Sequence, residues 1–333
     1  MILKSTTFYL LFFITTYACF AQKQTQKDSL FDKENEYVRF YKNRITARVF
    51  YVNTSNSLSL NDDNSQQVLN LNANKQSRIG ASVFFRMLTI SYSFAPNFLN
   101  ANKNNEDSKL YALNLRGFYK RRWMQTIKLY NEKGFFLKND NYNIYLPKTK
   151  SFQIGGSTSY ILNDNFSYRA IASQNEKQLK SAGSFVPSIT YFYSTFNINS
   201  EDKLQFNTID KDFKSFDLAF SPAYYYNYVP NQNLFISAGA SLGVGLNHAS
   251  SNSGNLTTLL TEFSFKATAT YDFENLYFGA HFNYLILNHS SKRDLYITDN
   301  IPFSQVFIGY RFRAPQKVIK TAEDFNEKLN IKS

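Results

Sequence analysis

In "LFISAGASLGVGL" the side chains alternate in character at every step. Leu234, Ile236, Ala238, Ala240, Leu242, Val244 and Leu246 share one face of an extended chain, and Ser237, Gly239, Ser241, Gly243 and Gly245 share the other. "TEFSFKATATY" repeats the pattern, with Phe263, Phe265, Ala267, Ala269 and Tyr271 against Glu262, Ser264, Lys266, Thr268 and Thr270. So does "LYFGAHFNYLI", with Leu276, Phe278, Ala280, Phe282, Tyr284 and Ile286 against Tyr277, Gly279, His281 and Asn283. One face of each strand needs an apolar medium and the other needs water or polar partners. Past the N-terminal residues no window approaches the run of about 18 apolar residues that a spanning helix requires. The choice therefore lies between a secreted soluble β protein and a β-barrel of an outer membrane.

The connections separate the two. Short polar turns are expected at Asn74–Ser77, Arg121–Arg122, Asn163–Asn165, Pro230–Asn233 and Asp272–Asn275. Long Asn/Ser/Lys-rich loops are expected near 54–65, 96–107, 132–149, 197–212, 248–256 and 289–301. Short turns at one end and long loops at the other are the periplasmic and extracellular asymmetry of outer-membrane barrels. Aromatic residues flank the short turns: Tyr119 and Trp123; Tyr160, Phe166 and Tyr168; Tyr224, Tyr225, Tyr226 and Tyr228; Tyr271, Phe273, Tyr277 and Phe278. Amphipathic rings gather at a membrane interface, although aromatics also favour strands in general.

Alternating the two kinds of connection yields 12 strands, at 45–53, 66–74, 78–94, 108–120, 123–131, 150–162, 166–196, 213–228, 234–247, 257–271, 276–288 and 302–313. The expected fold is all-β, an antiparallel up-and-down transmembrane barrel. Two spans strain this count. In 78–94 the apolar phase shifts between Met87 and Leu88, which marks a bulge or a tight turn. The span 166–196 opens as a strand at Tyr168–Ala172, but as one strand it would run to roughly 100 Å. Part of Gln174–Gly183 must leave the sheet, either as a turn, which with one at Arg86–Leu88 makes 14 strands, or as an inward excursion. Glu176, Lys177, Gln178 and Lys180 are tolerable toward a wet lumen or rim and prohibitive toward lipid.

The ends lie outside the barrel. "MILKSTTFYLLFFITTYACFAQ" has a basic start, an apolar run and small residues, so residues 1–21 read as a secretory signal peptide cleaved after Ala21. Cys19 raises a lipoprotein cysteine as the rival, with a poor lead-in. Cleavage removes the single cysteine and Lys4, leaving 36 Lys+Arg against 25 Asp+Glu, net +11. Residues 22–44 are expected as a periplasmic extension with a short helix at the barrel mouth, 45–313 as the barrel, and 314–333 as a periplasmic tail whose helix starts near Thr321 and Asp324.

"FSYRAIASQNEKQLKSAGSF" resembles the most recognisable segment of an uncharacterised family, domain of unknown function 4421, in Bacteroidota. The likeness extends through "YVRFYKNRITARVFY", "YNEKGFFL" and a closing "IGYRFRAP", about 37–315 of the chain. It implies an outer-membrane barrel of a diderm bacterium and carries no known activity, ligand or catalytic residue.

Alternation places Arg48, Arg116, Lys128, Arg169, Lys266, Arg311 and Arg313 toward the interior, with Asp217 and Glu262 the chief acids. A basic lumen concentrates anions, unless the charges pair off inside a packed, closed barrel. His281 also faces inward, and with Ser264 and Glu262 on the preceding strand it has the residue types of a Ser–His–acid hydrolase. No oxyanion-hole signature accompanies them, and an ordinary polar lumen residue is the simpler reading. "NDDN" at 61–64 offers oxygens for Ca²⁺ but lacks the glycine and terminal Glu of a known loop. The positive charge is spread rather than gathered in a stripe, so no nucleic-acid partner is expected.

The functional expectation is a structural or passive-transport barrel with a basic lumen, without enzymatic activity, cofactor or metal, and with outer-membrane lipid as its surroundings. The alternatives are an accessory subunit docked to another envelope protein, and a lipid-acting barrel enzyme.

Overall fold

The computed structural model describes residues 32–33, 36–41, 43–54, 57–62, 67–73, 76–86, 88–96, 98–99, 109–139, 142–172, 175–197, 212–251, 254–292 and 295–328. All of these except Asp32 belong to one compact unit, 33–333. The expected signal peptide, 1–21, lies outside the described residues.

In chain order the first strands are β1 (Asp32–Lys33), β2 (Val38–Phe40), β3 (Arg44–Thr54), β4 (Ser57–Asp62), β5 (Gln67–Ala73), β6 (Gln76–Phe85) and β7 (Leu88–Phe94). There follow β8 (Lys109–Tyr119), β9 (Trp123–Asn139), β10 (Tyr142–Tyr160), the helical turn α1 (Tyr168–Ala172), β11 (Glu176–Gln178), β12 (Ala182–Val186) and β13 (Ser188–Asn197). The remainder is β14 (Asp212–Phe220), β15 (Ala223–Tyr228), β16 (Leu234–Ser251), β17 (Gly254–Phe273), β18 (Leu276–Lys292), β19 (Leu295–Arg313) and α2 (Gln316–Lys328).

Antiparallel pairing runs β3-β6-β7-β8-β9-β10-β13-β14-β16-β17-β18-β19 and returns from β19 to β3, a closed ring of twelve staves. Closure removes the unpaired edges of an open sheet. Four further segments lengthen staves of the ring. β4 meets β19 in the register that β3 keeps, Thr54 opposite Phe303 and Ser57 opposite Asn300. β5 bridges from β4 to β9, above the short β7 and β8, so fourteen segments lie along the main path. β12 and β15 continue β13 and β14, and the shared register sets Pro187 opposite Pro222. Neither proline has an N–H to donate, so the ladder lacks a donor on both staves at this level while the register runs on unbroken.

The twelve staves are reached with one boundary moved. The strands that flank the turn expected at 74–77 do not pair with each other: Ala73 pairs with Phe135 and Gln76 with Thr54. Phe85 stands opposite Leu88, so the chain reverses between them and 78–94 is parts of two staves. The spans 132–149, 248–256 and 289–301, expected as loops, are largely β9–β10, β16–β17 and β18–β19 hairpin. In the β9–β10 extension the ladder still buries Phe135, Leu137 and Leu146. At the other end the turns are tight, and Arg86, Lys120, Arg121 and Glu274 take left-handed φ of 48–61°.

Polarity is inverted relative to a soluble protein. Leu242, Val49, Leu246 and Val306 stand more than half exposed on the outer face, while inward-facing Arg311 is 1% exposed and Thr46 and Asn247 are fully buried. Such an exterior is stable only against hydrocarbon, which makes this a transmembrane barrel of the outer-membrane type. Exposed Trp123, Tyr119, Tyr224, Tyr226, Tyr228, Tyr271, Phe273 and Phe278 crowd its short-turn end. Phe166, Tyr168, Tyr225 and Tyr277 do not join that girdle. Tyr225 and Tyr277 alternate to the inner face, Phe166 and Tyr168 leave the wall, and all four are buried.

Candidate functional site: a stoppered basic lumen

The polar stretch after Phe166 folds into the short-turn mouth. Tyr168–Ala172, expected as strand, is the single helical turn α1, with all five side chains buried. An isolated segment inside a barrel has no neighbouring strand to pair with, so its backbone groups close on themselves or on side chains. Ser167 caps the turn, its Oγ accepting from Ala170 N at 2.9 Å. β11 then pairs with β2 in the same interior, Glu176 opposite Phe40, where a helix was expected between 22 and 44.

Buried side chains lock this plug. Glu176 accepts from Ser167 Oγ at 2.6 Å and from Arg169 Nη1 at 3.1 Å, and Arg121 Nε lies 3.8 Å away. Gln178 Oε1 accepts from Ser167 N and from Asn227 Nδ2, both at 2.9 Å, and its amide nitrogen donates to Asn165 O. Asn175 Nδ2 donates to Arg86 O at 2.8 Å. Phe118, Met124, Phe166, Tyr168, Ile171, Val186 and Tyr225 pack as an apolar collar between plug and wall. Beyond the last stave α2 begins at Gln316, five residues before the expected Thr321, because Pro315 supplies the first carbonyl to Val318 N and Ile319 N. Its Glu323 accepts from Arg86 Nη2 at 3.1 Å, which ties the tail to the β6–β7 turn.

The expected interior residues fall into separate groups. Arg169 is on the plug, its guanidinium 4.6 Å from the Phe118 ring centre. Arg311 pairs with Asp272 at 2.9 Å between the rings of Tyr41 and Tyr277, 4.7 and 4.5 Å from their centres. Arg48 donates to Ser82 Oγ at 3.1 Å, stands 3.2 Å from His281 Nε2 and lies over Phe307 and Phe84. Asp217 accepts from Asn247, which also donates to Ser215. Arg313 is exposed at the mouth. Arg116, Lys128 and Lys266 surround Tyr168 and Tyr225, half-buried above the plug.

The hydrolase constellation does not assemble. Glu262 Oε2 accepts from Ser221 at 2.9 Å and Thr190 at 3.3 Å, Ser264 bonds to Ser241 at 2.9 Å, and His281 Nδ1 meets Thr268 Oγ1 at 2.8 Å. Each of the three serves a different neighbour. Among the described residues no group of three or more His, Cys, Asp or Glu gathers as for a metal; Asp63 and Asn64 of the "NDDN" stretch lie outside them.

Sequence reasoning placed Glu176 and Gln178 toward a wet lumen or rim without their partners, and missed Tyr168, Asn227, Asp272 and Tyr277 as site-forming groups. The available signal was a polar run bounded by strands: carboxylate and amide groups that cannot face lipid must find partners inside.

The family described as "Domain of unknown function (DUF4421)" matches residues 26–312. No curated protein matches the chain. Among solved structures the chain is similar to the outer membrane protease OmpT from Escherichia coli, at 8% identity over 82% of this chain and 98% of that one, with a TM-score of 0.37. It is also similar to the translocator domain of the autotransporter NalP from Neisseria meningitidis, at 9% identity over 93% and 98%, with a TM-score of 0.38. An outer membrane channel from Pseudomonas putida F1 matches at 9% identity over 84% and 99%, with a TM-score of 0.35. At such scores the barrel rests on its own ring of hydrogen bonds and its inverted polarity. The protease nevertheless corrects one expectation: a barrel of this general kind can house an enzyme, so the absence of catalysis does not follow from the fold, while the likeness assigns no activity to this chain.

Proposed function

The chain belongs to the family described as domain of unknown function (DUF4421), and we propose that it is a stoppered outer-membrane barrel that draws anionic solutes into a basic lumen, with passage conditional on release of the plug. The carrying observation is the pair of opposed features in one interior. Cations Arg48, Arg116, Lys128 and Lys266 line the wall above, and a hydrogen-bonded plug fills the short-turn mouth below. Low-dielectric walls carrying one sign of charge focus the field and raise the local concentration of the opposite sign. A packed mouth is incompatible with a permanently open pore.

Planar-bilayer conductance tests this reading. The native protein is expected to show little steady current, and Glu176→Gln, which weakens the buried pair holding the plug, to give larger openings with a reversal potential favouring anions. Large steady currents from the native protein, or cation preference in the loosened variant, would overturn it.

A further inference from the structure

We propose that Arg116, Lys128 and Lys266, with the hydroxyl of Tyr168, form a binding site for a small soluble phosphate-type oxyanion on the floor of the lumen. This deepens the reading of a basic, stoppered barrel and rests on it. Three staves and the plug converge here. Arg116 on β8 and Lys128 on β9 are inward-facing diagonal neighbours, since Arg116 stands opposite Thr126 and Asn114 opposite Lys128. Such pairs lie about 7–8 Å apart, a spacing that one tetrahedral anion can bridge. Lys266 approaches from β17, with its Nζ 5.9 Å from the Tyr225 ring centre. The Arg116 guanidinium lies 6.0 Å from the Tyr168 ring centre, and the rings of Tyr168 and Tyr225 meet edge to face at 5.3 Å.

The charge balance of this cluster points to a ligand. Two buried cations of the interior have acids, Arg169 with Glu176 and Arg311 with Asp272, while Arg48 has the Ser82 hydroxyl and the His281 ring instead. Among the described residues no carboxylate pairs with Arg116, Lys128 or Lys266. Arg116 Nε is moreover buried without a hydrogen-bond partner. Bringing like charges together and leaving a guanidinium donor unused costs stability unless an anion completes the set. The phenol of Tyr168 reports the local field. Burial alone would raise its pKa, yet Lys266, Arg116, a hydrogen bond with Tyr225 and Lys128 together outweigh burial and lower it. A ligand with several negative oxygens matches this arrangement: the guanidinium presents a fork of donors, the ammonium groups are compact charges, and the tyrosine hydroxyl donates. All three side chains remain half-buried rather than sealed, which leaves them accessible to water. The stave wall separates them from hydrocarbon, and this favours a soluble ion over a lipid headgroup.

Titration calorimetry on the folded, detergent-solubilised protein at low salt tests the site, with inorganic phosphate, glycerol 3-phosphate, and the same headgroup esterified with two short acyl chains. Saturable one-to-one binding of both soluble probes is expected. Lys266→Met or Arg116→Gln should weaken it about tenfold or more, the effect of losing one charged hydrogen bond, and Arg122→Gln, at an exposed turn, should leave it unchanged. No saturable binding, binding by the acylated probe alone, or equal binding by Lys266→Met protein with unchanged heat-modifiable gel mobility would each overturn the site. Should both variants fail to fold, the native protein still decides: phosphate must raise the ionisation pH of Tyr168, read as phenolate absorbance against Tyr168→Phe, and an unmoved signal overturns the proposal. Loss of the site with anion-preferring conductance retained sinks this inference alone, whereas cation preference in the conductance sinks the parent reading.

Discussion

Arg169 Nη1 lies 3.1 Å from Glu176 Oε1, both side chains less than a tenth exposed, and the pair joins the two halves of the plug, α1 and β11. Breaking such a pair is costlier than never having it, because the surviving charge stays buried. Glu176→Ala is expected to cost about 3–5 kcal/mol locally. The loss should fall on the plug and spare the ring, since the stave-to-stave ladder is untouched. Hydrogen exchange should therefore accelerate through 167–180 while β16–β19 keep their protection. Uniform acceleration across both would mean that plug and wall fold as one unit.

Gly309 faces Tyr277 across β18–β19, and a Cβ at Gly309 would lie 2.2 Å from the Tyr277 ring. That ring is fully buried and cannot swing aside, because Arg311 and Phe307 pack against it. Gly309→Ala is expected to destabilise the barrel by about 1–3 kcal/mol through overpacking. Gly117, with nothing within 4 Å of the same atom, supplies the contrast: Gly117→Ala should be close to neutral. Heat-modifiable gel mobility across a temperature series reads both.

Leu242 is 69% exposed on the outer face of β16, between inward-facing Ser241 and Gly243. Leu242→Arg should cost roughly 2–4 kcal/mol in lipid if it lies near the bilayer midplane. The same substitution on a water-facing wall would be nearly silent. Reversible unfolding in vesicles distinguishes the two. A native chain that stays folded and monodisperse in buffer without detergent would contradict the assignment of this face to hydrocarbon.

The wall was legible in the sequence because lipid outside and water inside enforce strict alternation, as at Leu242 beside Ser241. Legibility ended where that contrast ends. The spans 132–149 and 289–301, rich in Asn, Lys and Ser, were expected as loops and are largely hairpin, because the stave-to-stave ladder continues through them. Inside the lumen Tyr168–Ala172 read as strand because Tyr-Arg-Ala-Ile-Ala alternates, but period 2 is ambiguous over five residues and the surroundings decide. Of the basic interior, the residue types and their inward phase were readable from period 2. Which cations have acids was not: Asp272 meets Arg311 across a turn and Glu176 meets Arg169 within the plug, and both are tertiary relationships.

Tyr168 makes the electrostatics of the lumen measurable in the intact protein. Facing it are Lys266 on β17, Arg116 on β8, Lys128 on β9 and, by hydrogen bond, Tyr225 on β15. Burial opposes ionisation of the phenol; the cations and the Tyr225 hydrogen bond favour it and together prevail, and the pKa is lowered. An acid with a lowered folded-state pKa contributes stability that is fully present above its unfolded value, about 10 for tyrosine. That contribution is lost as pH falls through the lowered folded value. Between the two, the unfolded chain holds the phenolic proton and the folded chain has released it, so stability should rise with pH. The slope belongs to Tyr168 together with Tyr225 and Lys266, which titrate in its field, and Tyr168→Phe removes the member that lies on the plug. Unfolding free energies of native and Tyr168→Phe protein, compared from neutral pH to pH 10, should therefore diverge upward in favour of the native chain. Parallel curves would mean that the field at the plug is screened by groups other than the four named.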